Sequence, residues 1–269
     1  MPSINVRGLD VYYHDEGSGT PVILVHCSSA SHKEWLPLMA KLRGGYRIIA
    51  PDLTGYGKSA RWPKGRAFDG TEDFEILQRL SQLSREPAHF VGHSYGAAVV
   101  LGAGRQLGTM VRSAVLIEPV AFQLLNRPGF EDEWSTIQRL TQTVARYMAV
   151  GRPQRAAAAY MGFWIGKLRW WFTPRAIKRS IHDTMEKSAV EFGLIEKAAV
   201  DPAAFRSFSP PTRLVYGENT TAPAKAVIRI MSDMLPECDV ASIKGAGHMS
   251  PFTHADDVNA LILQHIAAH

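Results

Sequence analysis

Cysteine is nearly missing from this chain. Cys27 and Cys238 are the only two in 269 residues, too few for a disulfide framework and without the spacing of a structural metal site. Long apolar runs are missing too: nothing approaches the ~20 residues that a membrane-crossing helix needs. The start, Met1-Pro2-Ser3-Ile4-Asn5-Val6, lacks the basic segment and apolar core of an export signal. These absences lead to the expectation of a cytoplasmic protein with no membrane partner. Excess charge is small, at net +5. No Lys/Arg-rich run or aromatic-interleaved basic stretch stands out beside it, so nucleic acid is not expected as a partner. Internal repeats and low-complexity segments are absent.

What is present fits one large domain, with room for an inserted subdomain. An apolar content of 46% with 20% charged residues is ordinary for a full hydrophobic core. Ile4 to Tyr13 reads as an opening hairpin, and Pro21 to His26 as a strand buried on both faces. A helix from Ser31 carries Trp35, Leu38, Met39 and Leu42 at helical spacing. The strand Tyr46 to Ala50 enters a turn-rich loop, Pro51 to Ser59, and Thr71 is expected to cap a helix through about Ser84. Strands follow at Ala88 to Gly92 and at Arg112 to Glu118. From Val120 to about Phe208 only helical patterns appear, one of them running from Pro153 to Trp171. The β/α rhythm returns with Thr212 to Tyr216, Ala224 to Met234, Asp239 to Ile243 and Asp256 to Ala267. Alternating βα units imply a parallel sheet covered on both faces, with ligands at the strands' carboxyl ends. The expectation is an α/β fold: a mostly parallel, doubly wound sheet of about eight strands. Residues 1–119 and 209–269 form its core, and residues 120–208 form a helical cap.

The stretch Val91-Gly92-His93-Ser94-Tyr95-Gly96 organises the chemistry. It joins a short apolar strand to an Ala/Gly/Val helix, with Gly92 and Gly96 where side chains would collide with the turn. Ser94 is therefore read as a nucleophile raised on a strand-to-helix elbow. A serine hydroxyl needs a base. Among ten histidines, His248 lies in the glycine-flanked loop Gly245-Ala246-Gly247 after the last strand, at the same sheet edge. His14, His32, His89, His182, His265 and His269 read as surface or helix-face residues. His93 is expected to pack beneath the elbow, and His254 to serve a turn or cap.

With these motifs assembled, the chain resembles a serine-nucleophile, esterase-like member of the α/β-hydrolase superfamily over essentially its whole length. The resemblance is carried by Val25-His26, Pro51-Asp52-Leu53-Thr54-Gly55-Tyr56-Gly57-Lys58-Ser59, Gly92-His93-Ser94-Tyr95-Gly96 and Gly245-Ala246-Gly247-His248. It implies an acid between Ser94 and His248 in sequence. Many members carry that aspartate where this chain has Thr220, in Gly217-Glu218-Asn219-Thr220. Glu118, ending the strand next to the nucleophile's, becomes the preferred acid, with Glu218 as alternative. The resemblance also implies an oxyanion hole formed by the amides of Ser28 and Tyr95, with Cys27 replacing the usual glycine.

Aromatic residues crowd the cap, and Cys27, Trp134, Phe163, Trp164 and Met249 are candidates for lining the substrate pocket. The resemblance implies cofactor-free hydrolysis of a small-molecule carboxylic ester with an apolar acyl or aryl group, and no metal. Hydrolysis of C–C bonds in ring-cleavage diketones, hydroxynitrile cleavage, and a ligand-receptor role with little turnover remain open on the same fold. The sequence leaves the oligomeric state undetermined.

Overall fold

The structure is a computed structural model, and it describes residues 2–197 and 205–269. Eight strands form one open sheet: β1 (Ser3–Val6), β2 (Leu9–Glu16), β3 (Thr20–Val25), β4 (Tyr46–Pro51), β5 (Ala88–His93), β6 (Val111–Ile117), β7 (Thr212–Gly217) and β8 (Cys238–Ile243). Their order is β1-β2-β4-β3-β5-β6-β7-β8. β1 and β2 pair antiparallel, and every pair from β4 through β3 and β5 to β8 is parallel. The mostly parallel, doubly wound sheet expected from the βα rhythm is therefore present.

Each central strand is buried on both faces because both faces carry helices. α1 (Leu36–Leu42) and the last helix, Ala255–Ala268, cover one side. Trp35, Leu38, Met39 and Leu42 there meet Val258, Ile262 and Ile266. α2 (Thr71–Ser84) and α3 (Tyr95–Leu107) cover the other side, with Ile76, Leu77, Leu80, Val99, Val100 and Ala103. From β3 the chain steps to β4 on one side, then crosses back to β5 on the other. The strand order thus reverses between β3 and β5. Such a reversal splays the loops at the strands' carboxyl ends and leaves a crevice for ligand.

Between β6 and β7 the described residues hold no strand. They form α4 (Glu131–Ala149), α5 (Pro153–Ile165), α6 (Lys167–Phe172) and α7 (Arg175–Lys197). Residues 198–204 of the expected cap lie outside the described residues. The pattern from Pro153 to Trp171 is not one helix, because Gly166 takes a φ of 83° and separates α5 from α6. Thr71 is not a helix cap either. It is the first residue of α2, and its amide and hydroxyl donate to Asp69 Oδ1. The remaining helices are α8 (Ala222–Met234), capped by the Thr221 hydroxyl, α9 (Ser250–Thr253) and α10 (Ala255–Ala268).

Candidate active site

Ser94 stands between β5 and α3 at φ 54°, ψ −115°, a strained conformation for a residue with a Cβ, costing on the order of 1–3 kcal/mol. Its neighbours hold it there. Its amide donates to Ile117 O at 2.8 Å, and its carbonyl accepts from Ala98 N at 3.2 Å. The flanking glycines are needed for close approach. A Cβ on Gly92 would lie 2.7 Å from the Ala97 Cα, and one on Gly96 would strike the Val25 and His26 carbonyl oxygens. The elbow is thereby pressed against the end of β3, beside the loop that carries Ser28.

A hydrogen-bonded chain starts at the serine. Ser94 Oγ lies 2.9 Å from His248 Nε2, and His248 Nδ1 lies 3.1 Å from Glu118 Oε2. An ionised carboxylate only accepts, so Nδ1 carries the proton and Nε2 is left bare to receive one from the serine. Burial pushes the His248 pKa below its ordinary 6.5, against the opposing pull of Glu118, so the ring is neutral at rest. Burial also pushes Glu118 upward, but His248, the Gly217 amide and the Thr220 hydroxyl outweigh it and hold the carboxyl below its ordinary 4.5.

Glu118 follows β6 at φ 48°, anchored by its own amide to Val215 O at 2.8 Å. Gly217 N donates to Oε1 at 2.8 Å and Thr220 Oγ1 to Oε2 at 2.7 Å. Thr220, at the position where the resemblance led to the expectation of an acid, donates to the acid at the end of the neighbouring strand. Glu218 is directed elsewhere, toward Gly245 N at 3.2 Å.

Beneath the elbow, a second buried pair ties three loops together. Glu34 accepts from Cys27 N at 2.9 Å and lies 2.6 Å from His93 Nδ1, while His93 Nε2 donates to the His248 carbonyl at 2.9 Å. The pair thus links the Ser28 loop, the elbow and the His248 loop. Burial disfavours a charged His93, but Glu34 outweighs that and raises its pKa. His26 joins the β3 and β4 loops, donating from Nδ1 to Cys27 O at 2.7 Å and accepting from Leu53 N at 2.9 Å through Nε2. Cys27 is buried, and burial with the nearby Glu34 pushes its thiol well above the ordinary value. Cys27, Glu34 and His93 form the group of potential metal ligands among the described residues. Two of the three are already committed to each other, and the thiol is held protonated, so the trio fits a structural brace better than a metal cradle.

The helical insertion closes over this edge. Trp164 of α5 stacks on the His248 ring, with centroids 3.6 Å apart and planes 20° apart. Phe163 packs edge-on against Trp164. Trp134 is partly buried in the same core, and no hydrogen bond or ring contact joins it to Ser94, His248 or Glu118 among the described residues. From α7, Glu191 accepts from Ser28 Oγ at 2.6 Å and from Tyr56 OH at 2.8 Å. Lys187 bridges Glu191 at 2.9 Å and Asp73 of α2 at 3.0 Å, and Asp73 also accepts from Tyr95 OH at 2.9 Å. Four rings, those of Tyr56, Trp62, Phe68 and Tyr95, surround the buried ammonium. The sequence reading missed this network because Lys187 and Glu191, four residues apart on a helix, look like a solvated ion pair.

Ser94 is 3% exposed. A polar cavity of about 590 Å³ lies to one side, lined by Ser29, His32, Lys58 and Lys187 among others. An apolar one of about 190 Å³ lies to the other, lined by Tyr95, Val99 and Val120 among others. Neither is lined by Ser94 or His248. Among the histidines expected at the surface or on a helix face, His32 and His89 are buried off any α-helix face, and His265 is buried on the inner face of the last helix. They bond to Asp52, Ser113 and the Pro211 carbonyl.

The sequence and the fold are matched by known proteins. A family model described as alpha/beta hydrolase family fits residues 22–261. The chain belongs to the alpha/beta hydrolase family. A non-heme chloroperoxidase of Kitasatospora aureofaciens is 26% identical over 92% of this chain and 92% of that protein. Among solved structures, a thermophilic esterase from Thermogutta terrifontis superposes with a TM-score of 0.76 at 20% identity, covering 99% of this chain and 96% of that one. The enol-lactonase of Burkholderia xenovorans gives 0.76 at 18%, covering 99% and 100%. At these identities the structural matches speak to fold. For the alpha/beta hydrolase described here, no helix among the described residues is long and apolar enough to cross a membrane.

Proposed function

We propose that this hydrolase cleaves carboxylic esters with an apolar acyl or aryl group through a covalent acyl-serine. The observation that carries the reading is the continuous chain Ser94 Oγ–His248 Nε2, His248 Nδ1–Glu118 Oε2. Ser94 Oγ attacks the ester carbonyl as its proton passes to His248 Nε2. The resulting imidazolium is stabilised by the Glu118 carboxylate, which the Gly217 amide and Thr220 hydroxyl keep ionised. The amides of Ser28 and Tyr95 receive the oxyanion. Among the described residues neither donates to a backbone carbonyl outside a helix or strand, and each such donor is worth about 10²–10³ in turnover. His248 then hands its proton to the leaving alkoxide. A water deprotonated by the same nitrogen releases the acid and regenerates Ser94.

The apolar preference rests on Trp164, Phe122, Tyr160 and Phe192, whose rings pack together beside His248. The esterase and lactonase names of the structural neighbours agree with cleavage of a carboxylic ester. The test is release of 4-nitrophenol from the acetate and butyrate esters, compared with Ser94→Ala. Wild type should give a burst followed by turnover, and Ser94→Ala should retain less than about a thousandth of the rate. Equal rates in both proteins would exclude Ser94 as the nucleophile.

A further inference from the structure

Positive charge is concentrated in one part of this chain. Residues 134–182 hold nine of the thirty Lys/Arg and none of the 25 Asp/Glu, so the rest of the molecule is slightly acidic. A whole-chain net charge hides this block. The run Lys167 to Arg179 is a basic stretch interleaved with aromatics, so the expectation that no such stretch stands out does not hold for this segment.

The structure shows how that run is presented. α6 is pinned by Trp170, which is buried and packs edge-on against His182 at 6.2 Å. Leu168, Trp171 and Phe172 fall at i, i+3 and i+4, on one helical face, and they are 73%, 76% and 75% exposed. Ile177, in the first turn of α7, adds a fourth exposed apolar side chain at 51%. Lys167, Arg169, Arg175 and Arg179 are exposed around them. Lys178 closes the end of α6 by donating to Trp171 O at 2.8 Å. None of these five cations is ion-paired among the described residues.

We propose that α6 and the first turn of α7 dock on an anionic bilayer surface. Trp171, Phe172 and Leu168 enter the headgroup–acyl boundary, and the surrounding cations meet lipid phosphates. Charge decides the occupant. A second copy on this face would oppose one set of five cations with another. Nucleic acid would satisfy the cations and could stack on Trp171, but it leaves Leu168 and Ile177 without a partner. An anionic leaflet satisfies both the charge and the aliphatic surface. It departs from the expectation of no membrane partner, which rested on the absence of a spanning segment. The proposal stands apart from the ester reading, and its test needs no turnover.

The experiment is sedimentation of the full chain with vesicles of phosphatidylcholine alone or mixed equally with phosphatidylglycerol. Binding should require the anionic lipid and fall sharply in 0.5 M NaCl. The triple variant Arg169→Gln/Arg175→Gln/Arg179→Gln should weaken partitioning about a hundredfold, at roughly fivefold per charge. Trp171→Ser/Phe172→Ser should abolish binding while circular dichroism and the melting temperature stay at wild-type values. No anionic-vesicle binding, or binding unchanged in both variants, overturns the proposal. A dimer in light scattering that Trp171→Ser/Phe172→Ser dissociates, or retention of single-stranded RNA in place of vesicles, assigns the face to another occupant and overturns it too.

Discussion

His248 is pulled in opposite directions. Burial and the nearby His93 lower its proton affinity, while the Glu118 carboxylate raises it, with the net effect downward. The stacked Trp164 face lies 3.6 Å away, where a π-system favours the imidazolium that forms during attack. Because the base must start neutral, turnover should rise with pH through a midpoint below 6.5 and stay level through neutrality. A kcat/KM profile against pH checks this. A midpoint above 6.5 would contradict the burial argument. The acid is decided by a pair of variants. Glu118→Gln should cost on the order of 10⁴ in kcat with the fold intact. Glu218→Gln, which loses only a bond to the Gly245 amide, should stay within a few-fold of wild type. That Ser94, His248 and Glu118 all come to one sheet edge could be read from sequence, because each follows a strand and βα rhythm puts those ends together; the preference for Glu118 over Glu218 came from the resemblance to the family. What Thr220 does was not readable. Its hydroxyl reaches an acid 102 residues away in sequence, and no local pattern encodes that contact.

At the level of elements, the same contrast between local and distant causes recurs. Strands with β-branched apolar runs and helices with a single apolar face were evident, since period and burial agree within each segment. The break at Gly166 was hidden because apolar spacing continues through it, and only a φ of 83° reveals the turn. The roles of Glu34, His93, Lys187 and Glu191 were hidden for another reason: each is a polar residue whose partners come from different elements. The elbow offers a direct test of crowding. Gly96→Ala would push a methyl group into the Val25 and His26 carbonyls, backbone atoms that cannot move without opening β3, so the variant should lose several kcal/mol or fail to fold. Gly193→Ala, inside α7 with nothing within 4 Å of the added carbon, should stabilise by about 0.5–1 kcal/mol. Urea denaturation of both variants gives the comparison. A Gly96→Ala protein as stable as wild type would mean the elbow is not pressed on β3.

Across the whole molecule, buried histidines set how the fold meets acid. Burial lowers His26, His248 and His265 below 6.5 and pushes His89 down to about 4. When the pH drops below 6.5, the unfolded chain takes up protons that these four sites refuse in the folded state, so stability must fall with pH in that window. His93 runs the other way: with its pKa raised by Glu34, its contribution is full below 6.5 and is lost as pH rises through its folded value. His182, partly buried and also lowered below 6.5 by burial, joins the four, and one site against five leaves the balance toward acid destabilisation. Carboxylates enter later. Glu118, held below 4.5, contributes above that value and is lost as pH falls through its folded pKa. The melting temperature should therefore ease downward above pH 6.5 as the His93 contribution is lost, decline more strongly as pH drops below about 6.5, and steepen below about 4.5. Replacing His89 with Gln, which keeps a polar group near the Ser113 hydroxyl, should flatten the upper part of that decline and leave the lower part unchanged. A melting temperature constant down to pH 4.5 would show that the folded protein admits these protons, and that its interior is wetter around β5 and α10 than their burial indicates.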